Sequence, residues 1–195
     1  MKIYLVRHGR THWNDLGLAQ GLKDVPLNEE GINSAKELAK DIKNLKIDKC
    51  ISSPLSRAKD TAKILINDKI DIIYDDKVIE RSFGNYEGIK PDEDLISKWW
   101  NYRLNYNENN IESLKDVLDR ANNFLNYLKL NYGDENILIV THGCFIKALH
   151  YNIIGYNENT DFLDFFPKYY YLWIWYLMFC LIFNQNICNY LKIIT

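Results

Sequence analysis

Two short junctions carry the reactive side chains of this chain. Arg7-His8-Gly9-Arg10-Thr11 follows the apolar run Ile3-Tyr4-Leu5-Val6, and His142-Gly143 follows Ile137-Leu138-Ile139-Val140-Thr141. Each reads as a buried strand that ends on a histidine and a glycine. Two such junctions in one domain bring two imidazoles to one edge of one sheet. In open α/β sheets that edge is where ligands bind. Arginine beside the first imidazole points to an anion, and phosphate above others, because a guanidinium offers planar pairs of donors. By itself His8 reads equally as a nucleophile or as a buried histidine satisfied by a backbone carbonyl.

The elements that must position these groups follow from periodicity and caps. Lys2–Arg7 is the first strand. Asn28 caps a helix with Ile32, Ala35, Leu38, Ala39, Ile42 and Leu45 inward. Asp48–Ser52 is a short strand, followed by a helix from Ser56 to Ile66, and Ile70–Tyr74 is a third strand. Glu80–Asp92 contains Gly84, Gly88 and Pro91, so a loop is expected. Leu95–Tyr106 is expected to be helical, with a Trp, Tyr and Asn content that suits a lid. Ser113 caps a long helix with Val117, Ala121, Phe124, Leu125 and Leu128 inward. Asn136–Thr141 is a buried strand and Phe145–Ile154 the helix after it. Strands alternating with helices predict an α/β fold, a mostly parallel sheet flanked by helices on both faces.

The chain has 195 residues, one domain by length, and a formal net charge of −2, which gives no nucleic-acid footprint. Cys50, Cys144, Cys180 and Cys188 lack the close pairing of zinc or redox motifs and read as reduced thiols in a cytoplasmic protein. The N-terminus reads as a strand, not a signal peptide. Residues 1–168 form the expected domain, and 169–195 an apolar, aromatic tail in which Lys192 is the only charged residue. Its run Tyr169–Phe183 is shorter than the roughly 20 residues needed to span a bilayer. It shows neither strand alternation nor a helical stripe. Non-native sequence is the favoured reading of the tail. A core strand with a packing helix, or a membrane- or partner-binding segment, are the others. Oligomeric state is not legible.

Five segments, in order, resemble the histidine phosphatase superfamily, the phosphoglycerate-mutase-like proteins. They are Arg7-His8-Gly9 with Thr11 and Asn14; Gln20-Gly21 with Asp24, Pro26, Leu27 and Gly31; Ser52 through Ala62 around Arg57; Glu80 through Gly88; and Thr141-His142-Gly143. The resemblance covers about the first 165 residues. It implies that His8 is a nucleophile forming phosphohistidine, for which a neutral imidazole is competent. It further implies that Arg7, Arg57 and His142 hold the transferring phosphoryl group and that Glu80 is general acid, then base. Asn14, Gln20, Gly21 and Thr11 are expected to contact phosphate or substrate. Asp24, Pro26 and Gly31 shape the turn into the first helix, and His12 and His150 are structural or solvent-facing.

The expected function is hydrolysis of small phosphorylated metabolites, without metal or cofactor. The Phe83-Gly84-x-Tyr86-Glu87-Gly88 form resembles the phosphatase branch. A phosphoglycerate mutase is the alternative, disfavoured by the short span from Gly88 to His142. An inactive phosphoester- or partner-binding domain is the lower one. Arg10 stands where many relatives of that kind carry an acid, which bears on substrate selection.

Overall fold

The computed structural model describes residues 2–163, 178–184 and 187–194, the last two stretches as backbone strands. The strands are β1 (Lys2–Arg7), β2 (Lys49–Ser52), β3 (Ile72–Tyr74), β4 (Asn136–Thr141), β5 (Met178–Asn184) and β6 (Ile187–Ile194). The helices are α1 (His12–Leu16), α2 (Glu29–Ile42), α3 (Ser56–Ile66), α4 (Glu93–Trp99), α5 (Leu114–Tyr132) and α6 (Gly143–Ile154).

The described strands form one sheet in the order β3-β2-β4-β1-β5-β6. The first four run parallel, β5 is antiparallel to β1, and β6 is antiparallel to β5. The expected α/β fold with a mostly parallel, two-faced sheet is therefore the one observed. Side-chain alternation in β1 and β4 builds both faces. Ile3, Leu5, Ile137 and Ile139 pack with Val117, Leu118, Phe124 and Leu128 of α5 and Phe145 and Leu149 of α6. Tyr4, Val6, Leu138 and Val140 pack on the other face with Leu38 and Ile42 of α2 and Ala58, Ala62 and Leu65 of α3. Double coverage is why β1 and β4 read as continuous apolar runs. Each fully buried aliphatic side chain contributes about 1.5–3 kcal/mol.

The caps act where the sequence places them. Asn28 accepts from Gly31 N–H at the start of α2, and Ser113 from Asp116 N–H at the start of α5. Four expectations need correction. Ile32 is 36% exposed, so the inward stripe of α2 runs through Gly31, Ala35, Leu38 and Ile42 instead. β3 begins at Ile72, two residues later than expected. The helix expected over Leu95–Tyr106 is α4, which starts at Glu93 and stops at Trp99. It stops because the Asn101 carboxamide accepts from Leu104 N–H, and Asn105 takes a positive φ of 47°, local bonding that competes with helix. The short α1 was not foreseen. A capping box makes it: Thr11 Oγ1 accepts from Asn14 N–H while Asn14 Oδ1 accepts from Thr11 N–H.

Gly84 takes φ +54° in a single 3₁₀ turn within the expected loop. A Cβ there would stand 2.2 Å from the Asn109 carbonyl oxygen, so the 80s loop and the 101–112 strap approach as only glycine permits. β5 and β6 fall within the stretch set apart at residue 169 and extend the sheet beyond β1. Most of the aromatic run, Tyr169–Leu177, lies outside the described residues.

Candidate active site

Arg7 ends β1 opposite Thr141, which ends the parallel neighbour β4. The His8 N–H donates to the Thr141 carbonyl at 2.9 Å, which locks the two exits side by side. The rings of His8 and His142 stand 5.1 Å apart, centroid to centroid, with planes tilted by 57°. The parallel strands thus deliver both imidazoles to their carboxyl edge, where ligands bind in such sheets.

His8 is 7% exposed. Its Nδ1 lies 2.7 Å from the Gly9 carbonyl oxygen. A carbonyl can only accept, so Nδ1 carries the proton and Nε2 keeps its lone pair. The two readings of His8 are thus compatible: the backbone bond that satisfies the ring also fixes the nucleophilic tautomer. Burial pushes its pKa well below 6.5, and the charges of Arg57 and Arg7 push the same way. Burial, then Arg57, His8 and Arg7, does the same to His142. Both rings are neutral at pH 7.

Around them lie polar atoms with little to bind. Arg7 Nε, Arg57 Nε, Gln20 Oε1 and His142 Nδ1 are all buried without a hydrogen-bond partner among the described residues. Buried polar groups are ordinarily satisfied, so such a cluster asks for a ligand. Arg57 sits in the first turn of α3 and donates to the carbonyls of Lys23 and Gly21, both at 2.7 Å. Burial lowers its pKa, opposed chiefly by Glu80 and Asp24. His142 Nε2 lies 2.8 Å from Ser53 Oγ, at the exit of β2. Glu80 accepts from Arg81 N–H at 2.9 Å and from the N–H groups of Phe145 and Cys144 at the start of α6, at 3.2 and 3.3 Å. Glu80 is therefore not a surface carboxylate paired with the Arg81 side chain. Arg81 instead donates to the Glu112 and Trp99 carbonyls, and Glu80 is buried.

Arg7, His8, Asn14, Gln20, Gly21, Arg57 and Glu80 line a cavity of about 430 Å³; His142 is fully buried beside His8 and is not among the lining residues. Phe83, Trp99, Trp100, Cys144, Lys147 and Leu163 are also in the cavity lining. Thr11 is fully buried and does not line it; its hydroxyl is taken by the α1 cap. Asn14 reaches the lining with its oxygen committed to that same cap. Arg10 pairs with Asp15 and Glu30, so it ties α1 to α2. His12 is exposed, and His150 is half-buried edge-on to Tyr151.

Sequence reasoning missed several supports. Thr61 Oγ1 accepts from Gly9 N–H and donates to the Arg57 carbonyl, which joins the His8 loop to α3. Asp24 accepts from Ser56 N–H, so it caps α3 instead of shaping the turn into α2. Glu87 accepts from Leu22, Lys23 and Phe83 N–H groups and clamps the 20s loop to the 80s loop. Gly9 and Gly31 abut so closely that a Cβ on Gly9 would lie 2.7 Å from the Gly31 oxygen. All stand inside segments that carry the resemblance, which was the available signal. Ser53 lies in one of them as well, whereas Cys144 and Lys147 had no signal beyond proximity to those segments. Among the described residues no group of three or more His, Cys, Asp or Glu side chains gathers as a metal site, and no helix is long and apolar enough to cross a membrane.

The sequence profile of the histidine phosphatase superfamily (branch 1) matches residues 3–164. An uncharacterized phosphatase, PhoE, of Bacillus subtilis (strain 168) is 37% identical over 158 residues, 78% of this chain and 77% of its own length. A phosphoglycerate mutase of Schizosaccharomyces pombe is 32% identical over 171 residues, 78% of this chain and 79% of its own. A crystal structure of a phosphoserine phosphatase mutant from Entamoeba histolytica in complex with phosphoserine superposes with a TM-score of 0.78. It is 25% identical and covers 97% of this chain and 95% of that one.

Proposed function

The chain belongs to the histidine phosphatase superfamily, and on that premise we propose that it hydrolyses small phosphomonoesters through a phosphohistidine at His8. One observation carries this reading. Three buried nitrogens on Arg7, Arg57 and His142, without hydrogen-bond partners among the described residues, belong to side chains near a histidine whose tautomer leaves Nε2 unprotonated. Such a cradle fits the equatorial oxygens of a phosphoryl group in transfer.

Hydrolysis then runs in two steps. His8 Nε2 attacks phosphorus as the bond to the ester oxygen breaks. Protonated Glu80 gives its proton to that departing oxygen. The carboxylate then takes a proton from the water that splits phosphohistidine, releasing inorganic phosphate and neutral His8. Arg7 and Arg57 carry the charge that develops, and neutral His142 donates from Nδ1 to a phosphoryl oxygen while Ser53 Oγ donates to its Nε2. Asn14, Gln20 and Gly21 border the substrate. Thr11 holds Asn14 in place. The reading places the activity in the cytoplasm, where thiols such as Cys50 and Cys144 stay reduced.

The mutase alternative draws on the Schizosaccharomyces pombe relative. It shares the His8 step and differs in the acceptor. Quenching at neutral pH followed by mass spectrometry should place phosphate on His8, and wild type should release inorganic phosphate without added bisphosphoglycerate. His8→Ala should abolish turnover with the fold intact. Substantial turnover by that variant would end the mechanism, and rapid phosphoglycerate isomerisation would transfer it to the mutase.

A further inference from the structure

Glu80 stands on irregular chain, between the 3₁₀ turns Asp76–Val78 and Gly84–Tyr86. A proton donor must be held to a fraction of an ångström, and an irregular segment has no ladder of its own to do so. The missing bonds come from Arg120 on α5, 40 residues further along the chain. Its Nη1 donates to the carbonyls of Ile79 at 2.8 Å and Lys77 at 3.2 Å, and its Nη2 to the carbonyl of Glu80 at 3.4 Å. Arg120 does not line the cavity. We propose that Arg120 is a positioning residue for the general acid, acting on the departing oxygen only through Glu80. The inference rests on the phosphatase reading above and deepens it.

The guanidinium of Arg120 reaches the acid from two directions. Its carbon lies 4.8 Å from the centroid of the Phe145 ring, and the Phe145 N–H donates to Glu80 Oε1 at 3.2 Å. Arg120 therefore touches both the main chain of Glu80 and the residue whose amide holds its carboxylate.

Arg120 is itself fixed. Glu112 accepts from its Nε at 3.0 Å and its Nη2 at 2.9 Å, a two-point pair that uses the planar fork. The two side chains are 22% and 19% exposed, so water screens the pair less than one on the open surface. Glu112 then returns to the loop that carries the acid. Its carboxylate accepts from the Ser82 N–H at 3.2 Å, and its own N–H donates to the Ser82 carbonyl at 2.9 Å. Arg81 Nε closes the set on the Glu112 carbonyl at 2.8 Å. The main chain around Glu80 is thus held in a ring of bonds through Arg120, Glu112 and Ser82. Lysine at 120 would keep the charge and lose the fork that makes these contacts together.

The test compares phenyl phosphate with p-nitrophenyl phosphate. The rings match, but phenol, like tyrosine, holds its proton to about pH 10, so phenoxide needs the acid far more than nitrophenolate does. The quantity read is kcat/KM, which reports the barrier from free enzyme and ester. Arg120→Lys should lower it about tenfold or more for phenyl phosphate and less than about threefold for the nitro ester, since a misplacement of about 1 Å costs up to about 10²-fold. In a Glu80→Gln background, Arg120→Lys should add almost nothing on phenyl phosphate, because the two changes act through one group. Glu112→Gln, a milder change to the same ring, should show the split at smaller size, and it decides the matter if Arg120→Lys does not fold. Equal losses on both esters in a folded variant would overturn the proposal, as would a full further loss in the Glu80→Gln background. Either would make Arg120 a structural residue of α5 alone. Wild type active only on the nitro ester would remove the acid, and this inference, while keeping the His8 step. Wild type active on neither would remove the phosphatase reading itself.

Discussion

The imidazoles of His8 and His142 face each other at 5.1 Å across the exits of two neighbouring parallel strands. Neither ring could hold that position on a loop alone. The His8 N–H is fixed to the Thr141 carbonyl, and the His142 ring to Ser53 Oγ. Their mutual placement, in a buried setting beside two arginines, gives the first prediction.

Both histidines have folded-state pKa values well below 6.5, through burial first and the nearby arginines second. The unfolded chain therefore binds more protons than the folded one below pH 6.5, and stability rises with pH there. The contribution is complete above about pH 6.5 and is lost as pH falls toward the folded-state values. Melting temperatures measured from pH 7.5 down to 5 should drop. A protein carrying His8→Gln and His142→Gln should show a shallower drop over that window. Parallel curves would assign the acid sensitivity to other groups.

Arg57 donates to two backbone carbonyls and keeps its remaining guanidinium face for the cavity. Arg57→Lys retains charge and loses the fork. The turnover rate should fall on the order of 10²-fold or more, as it does when a transition-state donor is removed. A change confined to KM would show that Arg57 binds substrate and transition state equally.

Glu80 is tied by N–H groups to the first turn of α6. If it protonates the leaving oxygen, Glu80→Gln should impair alkyl phosphate hydrolysis far more than p-nitrophenyl phosphate hydrolysis, because nitrophenolate departs without a proton. Equal losses on both would leave Glu80 as a structural residue that orients α6.

Glu87 touches no reacting group, yet it holds Leu22 and Lys23 N–H groups, and the Lys23 carbonyl holds Arg57. Glu87→Ala removes these bonds, at an exposed place where water can take over the N–H groups, and should cost about 0.5–1.5 kcal/mol of stability. It should also raise KM by loosening the 20s loop. Thermal unfolding and steady-state kinetics on one preparation read both; an unchanged Tm would remove the clamp.

Sequence by itself determined the parallel α/β sheet, because β1 and β4 are continuous apolar runs and Asn28 and Ser113 mark helix starts through local hydrogen bonding. It also determined which residue types gather at the strand exits, since Arg7, His8, Arg57, Glu80 and His142 each stand in a segment that resembles one family. Only the tertiary structure decided how they act together. The proton on His8 is fixed by the Gly9 carbonyl, and the aim of Arg57 by carbonyls more than thirty residues away in sequence. The end of α4 at Trp99, the burial of Lys147 against Trp100 and the cap that Asp24 gives α3 are decisions of the same kind. Periodicity and propensity report what a residue does to its own turn of chain. Burial, tautomer and charge balance depend on atoms that meet only when distant segments pack, so no local pattern records them.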